Sequence, residues 1–136
     1  MTLRECFEKN LLKRIPPDPE RSAASLKLAA HYLQRAEGNL KLEFYDVVLL
    51  MSYASMLQAA RALLFKDGVK ERSHGCVVAY LRETHPKIAK EAEILDHYRQ
   101  NRHIIQYEGG QVSREDAATA IKDCRLILDA IKRLLK

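Results

Sequence analysis

Apolar positions recur at three-to-four spacing along most of this 136-residue chain and are interrupted at a few sharp points. The opening "TLRE" has a helix-capping pattern from Thr2 to Glu5. "CFEKNLLKR" continues it with helical spacing until "IPPDP" stops it. Asp18 followed by Pro19 predicts an N-cap and first turn. The helix that follows places Leu26, Ala29, Ala30, Leu33 and Ala36 on one face and closes at Gly38 and Asn39. The next, "KLEFYDVVLLMSYASMLQAARALLFKDG", ends at Gly68 and is apolar on nearly all sides from Val47 to Leu57. Such a helix is central or sits at a subunit contact. "KERSHG" reads as a connector and "CVVAYLRETH" as a short helix stopped by Pro86. "KIAKEAEILDHYRQNRHIIQY" reads as one long helix ending at "EGG". Ser113 caps a last helix whose acidic first turn and basic last turn suit the helix dipole.

No stretch shows sustained period-two alternation, an internal repeat or a long linker. The pattern predicts a single all-α domain over residues 1–136, an antiparallel helical bundle of about five helices, four long and one short. The longest apolar run, "VVLLM", is too short to span a bilayer, so no membrane partner is expected, and no signal-peptide pattern opens the chain.

Charge and cysteine usage narrow this picture only a little. The net charge of +5, from 23 basic and 18 acidic residues, permits contact with nucleic acid or nucleotides without demanding it. Cys6, Cys76 and Cys124 are odd in number and far apart, with no CxxC pair or metal-ligand spacing. The expectation is a reduced, cytoplasmic protein with small buried thiols and neither metal nor cofactor.

Candidate chemistry concentrates in "YRQNRHIIQYEGG", residues 98–110, with two arginines, a histidine and two tyrosines. An arginine fork holds two phosphate oxygens and stays charged, and histidine titrates near neutral pH. Each residue also has a plainer reading. Arg99 and His103 form an i,i+4 pair suited to a solvated helix face. Arg102 and Tyr107 suit a hydrogen-bonded network at a helix end, and Tyr53 and Tyr98 suit core or interface aromatics. Arg61, late on the buried helix, needs a partner, either a salt bridge or a phosphate. His74, in the connector, suits either a helix cap or a place near the site. Lys41, Lys66, Lys70 and Arg72 suit solvation of helix ends.

The helix "SYASMLQAARALL", residues 52–64, with Gly68 and the connector Ser73-His74-Gly75 behind it, resembles the central signature of HEPN-domain proteins. In one prokaryotic branch a Tyr-Ala helix running into Ala-Ala-Arg-Ala-Leu-Leu precedes a glycine turn and a Ser-His connector. A later helix there carries arginine, a polar residue, several others, then histidine or tyrosine, the place that "RHIIQY" occupies. The resemblance covers roughly residues 20–135. It implies a helical bundle that dimerises, with the Arg…His motifs of two subunits meeting near the seam. Active members are metal-independent ribonucleases, often toxins paired with a small nucleotidyltransferase, and many others bind RNA or nucleotide without cutting.

Metal-free RNA cleavage needs a base for the 2′-hydroxyl, an acid for the leaving oxygen and a cation on the phosphate. Counting from Arg102, the expected histidine is Tyr107, whose phenol at a pKa of about 10 is a poor base. Counting from Arg99, His103 comes one residue short of the family's minimum spacing. The expectation is therefore a homodimer that binds RNA or nucleotide through a degenerate ribonuclease motif. Arg99, Arg102, His103 and Tyr107 are its candidate catalytic residues, and Arg61, His74, Arg99 and Arg102 its candidate phosphate contacts. The alternatives are a toxin ribonuclease paired with a nucleotidyltransferase, and a protein-interaction partner without a ligand of its own.

Overall fold

The computed structural model describes residues 1–108 and 111–136, with the side chains of residues 103, 104 and 106–108 excepted. Among these it contains six α-helices and a two-stranded ribbon, an all-α bundle as expected. The helices are α1 (Leu3–Glu8), α2 (Pro19–Lys41), α3 (Tyr45–Asp67), α4 (His74–Thr84), α5 (Ala89–Glu108) and α6 (Arg114–Leu135). The strands are β1 (Leu12–Arg14) and β2 (Val69–Glu71).

The local punctuation follows the sequence closely. Thr2 and Glu5 close a capping box at the start of α1, and Ser113 and Asp116 close one at α6. Asp18 accepts a hydrogen bond from the Arg21 amide at 3.0 Å, with Pro19 in the first turn of α2. Gly68 ends α3 at φ 87°, in the left-handed region.

Three expectations are corrected. The opening helix ends at Glu8, well before "IPPDP", and Leu12–Arg14 is a strand. Its partner overlaps the start of the stretch read as a connector: the left-handed turn at Gly68 swings Val69–Glu71 antiparallel to it, Lys13 opposite Lys70. Bonds from the Ile15 amide to Gly68 O (3.0 Å) and from the Arg72 amide to Leu11 O (2.8 Å) bracket the ribbon. Strands of three residues are too short to show alternation. Second, α2 does not close at Gly38 but runs on to Lys41. Third, Cys6 and Cys76 are not reduced thiols but a disulfide, Cα–Cα 5.9 Å, because α1 packs on α4 across 70 residues of sequence. Spacing along the chain carries no trace of such a pair. Cys124 is free and buried, and burial pushes its thiol up to about 11.

The core is organised around α3. α2 and α6 pack against it most extensively, and α5 and α4 pack against it and against each other. Met56, Leu63 and Leu64 are almost fully buried, so each contributes about 2–5 kcal/mol by the usual cost of truncation. α6 contributes an i, i+3, i+4 stripe of Ala117, Ala120, Ile121, Cys124, Ile127, Leu128 and Ile131. The buried face of α2 consists instead of Ser22, Ser25, Ala29 and Ala36. Small residues let α2 and α3 approach closely, and the serines bond across: Ser22 Oγ donates to Ala62 O and Ser55 Oγ to Ala29 O, both at 2.6 Å.

α3 is long and apolar enough to cross a membrane, but two thirds of its apolar window (67%) is buried inside the bundle, so this hydropathy belongs to a core helix. The chain's own helices thus cover most of the all-round apolar stretch. A half-buried stripe is left along Val47, Leu50, Ala54, Gln58 and Arg61.

Candidate functional site

α5 is pinned to the bundle by Ala92, Leu95 and Tyr98 on its inner face. The Tyr98 hydroxyl donates to Asp123 of α6 at 2.6 Å, so Tyr98 is a core residue. This orientation carries Arg99 and Arg102, three residues apart, to the side of α5 that faces the start of α4. There Ser73 caps α4 by accepting from the Cys76 amide at 3.3 Å, and the disulfide holds the same turn from behind. The cap is Ser73 and not His74; His74 is the first residue of the helix. Ser73, His74, Gly75, Arg99, Gln100 and Arg102 line an open pocket of about 550 Å³.

Asp96, one turn before Arg99, orients it: Arg99 Nε donates to Asp96 Oδ1 at 2.8 Å, and Gln100 donates to the other oxygen at 3.2 Å. Arg99 is therefore not a freely solvated helix face. Arg102 places its guanidinium carbon 5.4 Å from the centre of the Tyr53 ring. Its Nε is buried and meets no acceptor among the described residues. Arg61 Nε lies 2.7 Å from Glu71 Oε1 but is not in line for a hydrogen bond, so the contact is an ion pair alone. Arg61 thus has its partner in β2 and does not line the pocket.

Tyr53 is buried, and its hydroxyl lies 2.9 Å from His74 Nδ1. Burial pushes the phenol up to about 12, against the pull of Arg102 and Arg99, so it stays protonated at neutral pH. Burial also lowers His74, and Arg102, Arg61 and Arg99 lower it further. His74 is therefore uncharged at neutral pH. The phenol can donate to Nδ1 or accept from it, so the two tautomers present Nε2 as a proton donor or as a base. Locally, three guanidinium groups face the carboxylates of Asp96 and Glu71, which leaves one unmatched positive charge suited to a phosphate.

Of the sequence candidates, the structure thus brings together His74, Arg99 and Arg102. The side chains of His103 and Tyr107 lie outside the described residues. Sequence reasoning missed Asp96 as the residue that orients Arg99, and Tyr53 as the hydrogen-bond partner of His74. The i,i+3 spacing of Asp96 and Arg99 was a usable signal; the meeting of Tyr53 with His74, 21 residues on, left none. A second pocket, of about 300 Å³, lies against Leu49, His97, Tyr98 and Asn101; its charged lining residue is Asp116, so it does not suit an anion.

A comparison with curated proteins finds none that matches this chain. The family model of the HEPN domain matches residues 22–134, which include α3, the Ser73-His74-Gly75 turn and both arginines. The chain belongs to the HEPN-domain family, a family of nucleotide-binding or ribonuclease-like helical domains.

Proposed function

We propose that the chain binds single-stranded RNA, holding a backbone phosphate between Arg99 and Arg102 with His74 beside it. The observation that carries this reading is the unpartnered Arg102 Nε in a pocket shared with Arg99, whose guanidinium Asp96 fixes in place. A buried donor without an acceptor costs stability, and a phosphate oxygen supplies that acceptor. The experiment is fluorescence anisotropy of a labelled oligoribonucleotide at increasing salt. Wild-type affinity falls with salt, and Arg102→Gln reduces the slope by about 0.7, one single-strand phosphate contact. Equal slopes for the two proteins contradict the reading.

A second reading, weak metal-independent cleavage, is favoured by the uncharged imidazole of His74 beside two phosphate-binding cations. In it His74 Nε2 takes the 2′-hydroxyl proton, the 2′-oxygen bonds to the phosphorus held by the arginines as the P–O5′ bond breaks, and the leaving 5′-oxygen takes a proton from water. The products are a 2′,3′-cyclic phosphate and a 5′-hydroxyl, formed in the presence of a chelator and lost in His74→Gln.

A homodimer is part of the same proposal. The half-buried stripe from Val47 to Arg61 on α3 is the surface offered to a second copy, and it supports the reading by ending beside the pocket residues. Light scattering at micromolar concentration gives twice the chain mass of 15.6 kDa. A stable monomer contradicts the shared face.

A further inference from the structure

The ribbon carries a second group of cations that the Arg99–Arg102 pocket does not use. Lys13 sits directly opposite Lys70, and residues paired across an antiparallel ladder project from the same face. Leu12 and Val69, at the alternate positions, are buried against the core. Lys13 and Lys70 therefore point outward, with Arg72 two residues further along on the same side. Arg21, from the first turn of α2, closes the group. These four cations and Ile15 line an open pocket of about 380 Å³.

Among the described residues, no carboxylate lines this pocket. Glu71, the only acid in the two strands, projects from the opposite face and pairs with Arg61. Arg21 reaches Asp18 at 3.5 Å in an exposed, weak pair. Lys13, Lys70 and Arg72 make no ion pair among the described residues. Like charges directly opposite each other destabilise a strand pair, so folding alone gives no reason for the grouping. An anion that meets several of them at once does. Lys70 and Arg72 are two strand positions apart, roughly 7 Å, a spacing that suits an extended run of phosphates better than one compact anion. The chain also passes directly from Arg72 to Ser73 and His74 of the first pocket.

We propose that the outer face of the ribbon, through Lys13, Lys70, Arg72 and Arg21, binds backbone phosphates of single-stranded RNA flanking the one between Arg99 and Arg102. The proposal rests on the RNA-binding reading of that first pocket.

The test compares two double variants, Lys13→Gln with Lys70→Gln and Arg99→Gln with Arg102→Gln. Both lysines are exposed, so the ribbon variant folds, and relief of their repulsion leaves its melting temperature unchanged or higher. The probes are a single-stranded oligoribonucleotide of about twelve nucleotides and a ribonucleoside 5′-monophosphate. The ribbon variant loses about tenfold or more in oligonucleotide affinity at about 50 mM salt, and about 1.4 from the salt slope, two contacts' worth. Its affinity for the mononucleotide does not change. Wild-type oligonucleotide affinity and slope in the ribbon variant overturn the ribbon site, and the first pocket still stands if the arginine variant loses binding. Loss in the ribbon variant alone upholds the ribbon and overturns the pocket. No oligonucleotide binding by the wild type at that salt overturns both.

Discussion

Tyr53 Oη and His74 Nδ1 lie 2.9 Å apart and join the buried centre of α3 to the first residue of α4. The contact fixes the imidazole between a core phenol and two arginines. It also makes the protein sensitive to acid. Burial and the three nearby arginines hold the His74 pKa below its ordinary value of 6.5, so the unfolded chain takes up the proton more readily than the folded one. His74 therefore contributes stability that is fully present above about pH 6.5. That contribution is lost as pH falls through the depressed folded value. Thermal melts at falling pH should show a steeper loss for the wild type than for His74→Gln. Parallel curves for the two proteins would show that the folded and unfolded pKa values are alike.

Two glycines should respond in opposite directions. Gly38 lies in the last turn of α2 with nothing within 4 Å of an added Cβ, so Gly38→Ala should stabilise by about 0.5 kcal/mol. Gly68 has φ 87°, and an added Cβ would stand 2.6 Å from Ile15 O, a backbone atom just past the end of β1. Gly68→Ala should cost more than about 2 kcal/mol. Urea denaturation of the two variants checks both signs.

The Cys6–Cys76 bond closes a loop across 70 residues. Its reduction should cost about 2–4 kcal/mol and free α1 first. In a reducing environment that stability would be absent. A melting temperature that does not change on adding reductant, with Cys6→Ser/Cys76→Ser equally stable, would show that the bond contributes nothing to the fold.

Loss of the α2 cap is a further check on the start of the bundle. Asp18→Ala should cost about 1 kcal/mol through the lost bond to the Arg21 amide. An unchanged melt would show that Pro19 alone sets the start of the helix.

These contrasts mark what the sequence could show. Caps and glycine stops are local, so Thr2, Asp18, Gly68 and Ser113 were legible one by one. The buried face of α2 was legible only in part. Ala29 and Ala36 lay on the expected stripe, but Ser22 and Ser25 are polar residue types, and Ser22 is satisfied by a bond across the helix pair to Ala62 O. The two strands were invisible, because "LKR" and "VKE" are too short to show alternation and their pairing depends on one left-handed turn at Gly68, just before Val69 and far along the chain from Arg14. At the site, Arg99 and Arg102 stood out as residue types in one helical stretch. The meeting of His74 with them depends on the packing of α4 against α5, which no spacing encodes.

The central claim is that a phosphate sits between Arg99 and Arg102 beside His74, and the most direct measurement is the His74 titration followed by NMR, with and without a ribonucleoside 5′-monophosphate. A phosphate there neutralises the arginines that lower His74 and adds negative charge beside the ring, so the His74 pKa rises on nucleotide addition. In Arg99→Gln/Arg102→Gln the rise disappears. A His74 titration that stays the same at saturating nucleotide, or that shifts equally in the double variant, would contradict the claim.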